Sequence, residues 1–305
     1  MSKFLTKDRV IYSFDPNTEP VISINQCEVL TIETMDCFAE QIKSKEDSMD
    51  SFDWSRVNPA TGPIYIRGVK PGDILRVDIL KIDIAENSLM ACIPGVGALA
   101  EHITEAERTF LKKKDGYLIL DTEKGELEIP IKPMVGVIGV TPAHKSIATG
   151  IPDAHGGNMD CRLVTEGSSL YFRAELEGGM LACGDLHAAM GDGEVLICGA
   201  ETSGELTIRA QVVKVPDLPT PLLENAGLYA TLASAKTLDE AAALATDMMM
   251  DFLVNNAELK TNDAARLMSL VGNLRVCQIV DPLVTMRFEF PKWALDDLGF
   301  TQLGS

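Results

Sequence analysis

Only four histidines occur among the 305 residues, and aromatic side chains make up 6% of the chain. Imidazole chemistry is therefore confined to four places, and the core has to be built mainly from aliphatic side chains and methionine. Cysteine is present but not in a stapling pattern. The seven, at positions 27, 37, 92, 161, 183, 198 and 277, are odd in number and include no Cys-x-x-Cys pair. That argues against a disulfide framework and a zinc knuckle, and for a reducing compartment. No apolar run approaches the roughly 20 residues a membrane-spanning helix needs. The opening MSKFLTKDRV also lacks the apolar core of a secretion signal, so a cytoplasmic location is expected. Positive charge is scarce: Lys and Arg number 27 against 45 Asp and Glu, a net charge of -18. Such a surface repels phosphate backbones and anionic headgroups, which excludes nucleic acid and membrane surfaces as expected partners. A neutral or cationic ligand is favoured, although acidity also serves solubility. Phosphate-loop, GxGxxG and GxSxG motifs are missing, as are internal repeats, so nucleotide, α/β-hydrolase and solenoid readings lose their markers.

What is there reads first as β. From Val10 to about Val215, short alternating or β-branched runs are cut by Gly, Pro, Asn and Asp. Strands are expected at 21–24, 28–33, 64–66, 74–84, 116–120, 126–131, 135–140, 170–175 and 205–213, with tight turns at Pro71-Gly72-Asp73 and Glu177-Gly178-Gly179. After Pro216 helical spacing takes over. One helix is expected over 239–253, with Ala243, Leu244, Met248 and Leu253 on its apolar face, and a second over 262–270. Strand-like alternation then returns at 275–280 and 284–290. The expected fold is mainly β: an antiparallel, jelly-roll-like β-sandwich body over 1–215 carrying the site, with a smaller α+β part over 216–305 packed on it as one integrated unit.

The chemistry is concentrated in two segments. Pro152 to Asp160 contains His155, Gly156, Gly157, Asn158 and Asp160. Gly184 to Glu194 contains Asp185, His187, Asp192 and Glu194. In an extended strand residues i and i+2 share a face, so Asp185 and His187 can present an oxygen and a ring nitrogen to one point. His155 would complete a set of two imidazoles and a carboxylate, which suits a catalytic divalent ion such as zinc. Acidic, oxygen-rich corners also suit calcium. Asp-x-His alone equally describes a hydrogen-bonded structural pair. In the loop Gly191-Asp192-Gly193-Glu194, Glu194 is the candidate general base, with Asp192 as a second acid; a solvated turn is the alternative. Glu201 is a candidate ligand or an orienter of an imidazole. Glu33 and Asp36 in Glu33-Thr34-Met35-Asp36 bring carboxylates to the site or merely end a strand. His102 and His144 stand apart from acidic pairs. A nucleophilic thiol at Cys161, Cys183 or Cys198 has no free imidazole partner, and buried small side chains are the reading preferred for them.

With these strings in view, the chain resembles the acetamidase/formamidase family over nearly its full length. The likeness rests on Glu33-Thr34-Met35-Asp36, Asn58-Pro59-Ala60-Thr61-Gly62-Pro63, Val137-Ile138-Gly139-Val140, His155-Gly156-Gly157-Asn158-Met159-Asp160 and Gly184-Asp185-Leu186-His187-Ala188-Ala189-Met190-Gly191-Asp192-Gly193-Glu194. It implies hydrolysis of acetamide or formamide to acid and ammonia, a β-sandwich with an α+β part, a homo-oligomer, and a divalent metal, zinc and also calcium. On that likeness Asp160, Glu33 and Glu201 join Asp185, His187 and His155 around the ion, and backbone donors of Gly156 and Gly157 beside Asn158 meet the oxyanion. The Gln that commonly precedes the Gly-Asp-Gly-Glu element is Met190 here, which puts the substrate preference in question. Two rivals stand beside the amidase: a non-enzymatic β-sandwich that binds a metal or small ligand, and a hydrolase of another small C–N substrate such as a cyclic amide.

Overall fold

A computed structural model describes residues 3–45, 47, 52–300 and 303. Two large sheets pack across a common apolar core. One has nine strands and the other eleven, nearly all antiparallel. Leu30, Ile32, Val77, Ile79, Leu206 and Ile208 of the first sheet meet Ile64, Ile66, Val135, Ile138, Leu181 and Leu186 of the second inside one buried cluster. The long strands Ile74–Ile84 and Gly204–Val213 pair along ten residues of register and form the spine of the first sheet. Gly204–Val213 shows the alternating burial read from the sequence, whereas Ile74–Ile84 is buried on both faces over much of its length.

The strands Met134–Val140 and Leu181–His187 of the second sheet differ: every residue of each is buried. A strand covered on both faces reads as a continuous run of apolar and small residues, not as an alternation. The Leu181–His187 strand is central, flanked by Met134–Val140, Ala60–Ile66 and the short Glu201–Thr202 strand. Five polar or glycine positions, Thr61, Gly136, Asp185, His187 and Glu201, are thereby enclosed in one buried neighbourhood.

The change in pattern at Pro216 is not a break in the fold. The nine-stranded sheet runs on from Ser169–Arg173 through Leu222–Glu224, Leu228–Ala235 and Val284–Pro291 to Asn273–Gln278. The helices cover this part and share with it a second buried cluster. The first helix, Leu238–Asp251, opens on a capping box in which Thr237 and Glu240 satisfy each other's backbone N–H groups. Its buried face is Ala241, Ala245 and Met249, whereas Ala243 and Leu244 are exposed. The face expected from the sequence is thus displaced by about one residue. The Phe252–Asn256 segment continues it as a π-turn, and the second helix spans Thr261–Val271 with Lys260 at its N-cap.

Candidate active site

Five acidic and imidazole side chains converge where the second sheet meets its loops. His187 Nε2 lies 3.2 Å from Glu201 Oε1, 3.5 Å from Asp185 Oδ1, 3.8 Å from Asp160 Oδ1 and 4.0 Å from Glu194 Oε1. All five side chains are buried. Asp185 and His187 do meet, as the i, i+2 spacing implies, but not through regular alternation. Asp185 has φ +57°, and the ladder to Met134–Val140 pairs Val135 with Leu186 and Val137 with Gly184 while omitting Gly136 and Asp185. Asp160 and Glu194 also sit at positive φ, +43° and +47°. Non-glycine residues in this region cost about 1–3 kcal/mol each and cluster where geometry is imposed by function. Gly136 makes the convergence possible: a Cβ there would stand 2.5 Å from both Asp160 Oδ1 and Asp185 Oδ2.

The cluster is rich in groups that lack partners. Both oxygens of Asp160, Asp185 Oδ1, Glu201 Oε2 and His187 Nδ1 make no hydrogen bond among the described residues. Burial, reinforced by Asp185 and Asp281, pushes the Asp160 carboxyl well above the usual range. Burial does the same to Glu194, with Asp160 and Glu201 adding to it, and to Glu201, with Asp185 adding to it. For His187 burial works downward, but Asp185 and Asp160 outweigh it and its pKa is raised. So many buried carboxylates around one imidazole are not satisfied by the protein alone. The donor set of one nitrogen and several oxygens fits a divalent cation of the zinc type.

A cavity of about 420 Å³ opens onto this cluster. Asn158, Asp185, His187, Glu194 and Glu201 form its polar end, and Tyr12, Phe38, Trp54, Ile93, Ile151 and Val280 line much of the rest. Asn158 Nδ2 donates to Asp281 Oδ2 at 2.9 Å, while its Oδ1 is buried and unpartnered among the described residues. The Asn58 N–H donates to the Cys37 carbonyl at 2.7 Å, which ties the Asn58-Pro59 motif to the cavity wall.

Several expected site residues lie elsewhere. His155 is buried, but its ring packs edge-on against Phe14 at 4.8 Å, and its charged neighbours are Asp153 and Lys145. Burial lowers it to about 4, so it is a neutral ring, its two nitrogens without partners among the described residues, and it joins neither the group around His187 nor the cavity lining. Glu33 alternates outward on the Val29–Thr34 strand, accepts from Lys7 N–H and lines a different hollow with Asp83 and Glu205. Of the same motif, Asp36 lies nearer the cluster: burial lifts its carboxyl to about 6, and Asp185 is among the charges acting on it. Asp192 is engaged by Arg287 through two bonds of 2.8 Å, with Arg162 at 3.3 Å. That fork anchors the loop and leaves Glu194 as its cavity-facing acid. Gly156 and Gly157 pair with Met134–Val140, and Gly156 N–H already donates to Asp153 O, so they are strand contacts and do not line the cavity. Their positive φ values, +97° and +83°, and the backbone packed against them explain why glycine stands there. Met190 lines a second hollow on the other side of Glu194, not the cavity at His187.

Two residues escaped sequence reading. Asp281 comes from the far end of the chain, in a turn whose N–H groups at Val280 and Asp281 are fixed by the buried Gln278 side chain. Cys37 directly follows Asp36 and groups with Asp185 and Glu201. Of the cysteines weighed as nucleophiles, Cys183 and Cys198 are packing residues whose thiols burial pushes up to about 12, while Cys161 is buried with its thiol paired to Cys277, which lowers its pKa.

The acetamidase/formamidase family model matches residues 3–151 and 143–226, the stretch that supplies every residue of the cluster around His187. The chain belongs to the acetamidase/formamidase family. It is 27% identical over 255 residues to a formamidase of Methylophilus methylotrophus, an alignment covering 65% of this chain. The chain spans 63% of the length of that curated relative. Two crystal structures superpose on nearly all of it. An acetamidase from Bacillus halodurans is 39% identical with a TM-score of 0.93, covering 97% of this chain and 99% of the other. A predicted acetamidase/formamidase from Thermoanaerobacter tengcongensis is 43% identical with a TM-score of 0.94, covering 99% of each. This family member thus shares both the fold and the motif-bearing strands with its relatives.

Proposed function

We propose that this family member is a metal-assisted amidohydrolase that cleaves small neutral amides to the carboxylic acid and ammonia. The observation that carries the reading is the buried cluster of Asp160, Asp185, His187 and Glu201, rich in unpartnered atoms, of which Asp185, His187 and Glu201 line a cavity together with Glu194. Family membership and relatives named formamidase and acetamidase support the reaction class. A divalent cation, zinc in preference to calcium because a nitrogen donor is present, would be held by Asp160, Asp185, His187 and Glu201 and would supply Lewis-acid polarisation of the amide carbonyl.

The chain's own residues do the rest. Glu194 takes a proton from the attacking water and returns it to the departing nitrogen, so that ammonia leaves. Burial raises its pKa, the direction a proton shuttle needs. Asn158 Oδ1, with its Nδ2 already fixed on Asp281, is free to accept from the substrate's amide N–H and so to orient the carbonyl. The apolar wall excludes bulk water and leaves more room than acetamide fills. That favours amides with a larger aliphatic group among those turned over. The seven free cysteines are consistent with action in the cytoplasm. Exposed Leu270, Leu274, Trp293 and Leu298 offer apolar surface for a homo-oligomer.

Glu194→Gln tests the assignment of roles. The expected result is a fall in kcat of about 10²–10⁴-fold with cation content unchanged. Loss of the cation together with turnover would make Glu194 a ligand, and unchanged turnover would remove it from the mechanism.

A further inference from the structure

Cys37 follows the Val29–Thr34 strand and is buried. Its Sγ and one carboxylate oxygen from each of Asp185 and Glu201 all lie within 4.8 Å of one another. The same two acids are also the nearest carboxylates to His187 Nε2, at 3.5 and 3.2 Å. Asp160, His187 and Glu194 form a second such group. Asp185 and Glu201 therefore adjoin both sets of donors, the one that holds His187, Asp160 and Glu194 and the one that holds the thiol. They have oxygens to spare: Asp185 Oδ1 and Glu201 Oε2 make no hydrogen bond among the described residues, although the two residues are 2% and 1% exposed. Cys37 closes one end of a small apolar cluster with Phe38, Ile42, Leu89, Ala91 and Cys198. Its sulfur also borders the two buried acids, and its carbonyl is held by the Asn58 N–H. Nearby Cys198 differs, since its sulfur takes the Ala91 N–H at 3.4 Å.

We propose that Cys37, Asp185 and Glu201 form a second cation subsite, for a thiophilic divalent ion such as zinc, with Asp185 and Glu201 shared between it and the ion beside His187. The proposal rests on reading the His187 cluster as a metal centre. Carboxylate-bridged pairs of ions sit about 3.5–4 Å apart, a spacing that shared acids impose. Thiolate ligation selects zinc over magnesium or calcium, and the thiol proton passes to solvent as the ion binds.

Cobalt(II) serves as the probe, because cobalt–thiolate bonds give an intense near-ultraviolet charge-transfer band that oxygen and nitrogen ligands do not. The full chain carrying Cys27→Ser, which removes the exposed thiol, is stripped with chelator and titrated with cobalt, alone and with Cys37→Ser or Cys37→Ala added. The expected result is two cobalt ions per chain and a thiolate band in the Cys37 protein, falling to one ion and no band in either Cys37 variant. One ion without a band in the Cys37 protein overturns the second subsite and leaves the first standing. A band that persists without Cys37 also overturns it. Failure to bind any cobalt overturns both the subsite and the metal centre beneath it.

Discussion

At the scale of single residues, the site depends on what is left out as much as on its acids. Gly136 has an ordinary backbone, so alanine there is strained by contact alone: its Cβ would stand 2.5 Å from two carboxylate oxygens. Gly136→Ala should spread Asp160 and Asp185 and weaken cation binding about 10–100-fold, the range for disturbing groups that orient ligands. Competition against a chelating dye measures this; unchanged affinity would mean that the two acids do not act together. Much of this scale was legible in the sequence. Asp185, His187, Glu194, Asp160 and Glu201 lie within 42 positions of one another and in recognisable strings, and they converge. Glu33 does not join them because its direction is set by strand register, which comes from partner strands distant in sequence, and His155 does not because it sits in the tight turn closed by Asp153 and Gly156. Asp281 carried no local signal. It reaches the site through a turn pinned by Gln278, more than 120 residues from Asn158, to which it bonds.

At the scale of elements, the loop that bears Glu194 is held from the C-terminal part of the chain. Gly193 N–H donates to Cys277 O at 2.8 Å, Ile279 N–H donates to Gly193 O at 3.1 Å, and Arg287 grips Asp192 in a two-pronged pair. Arg287 is buried, so the carboxylate it holds matters for stability as well as position. Asp192→Asn should cost about 1.5–3 kcal/mol in thermal or denaturant unfolding, as for hydrogen bonds to a charged group. A drop in kcat with the cation retained should accompany that loss. A large loss of turnover at unchanged stability would instead return Asp192 to a chemical role. Elements were legible where β-branched and apolar residues recur over a long run: the strand expected at 74–84 is found at Ile74–Ile84, and that at 205–213 at Gly204–Val213. Leu181–His187 was harder to read because it is covered on both faces and interrupted by Gly184 and Asp185. In the first helix the apolar face was misplaced because Ala241 and Ala245 carry the packing, and small residues give a weak periodic signal.

At the scale of the molecule, the site sets a pH-dependent load on the fold. The Asp36 carboxyl is raised from 3.8 to about 6. The folded state therefore binds its proton more tightly than the unfolded chain. That contribution is present in full below about pH 4 and is lost as pH rises through 6. At ~1.4 kcal/mol per pH unit it amounts to about 3 kcal/mol. Asp160, Glu194, Glu201 and Asp281 are shifted in the same direction by burial, so the sign is common to the cluster. A bound cation offsets the charge and removes most of this penalty. The gap in Tm between cation-loaded and chelated protein should therefore widen from pH 4 to pH 8; a gap that is constant or narrows would place the cation elsewhere. The most direct measurement of the whole reading is ammonia release from formamide, acetamide and propionamide by the purified protein, before chelation, after it, and with zinc restored. Release that chelation abolishes and zinc restores is the predicted result. Release indifferent to chelation would contradict the metal centre, and no release from zinc-loaded protein would contradict the amidase.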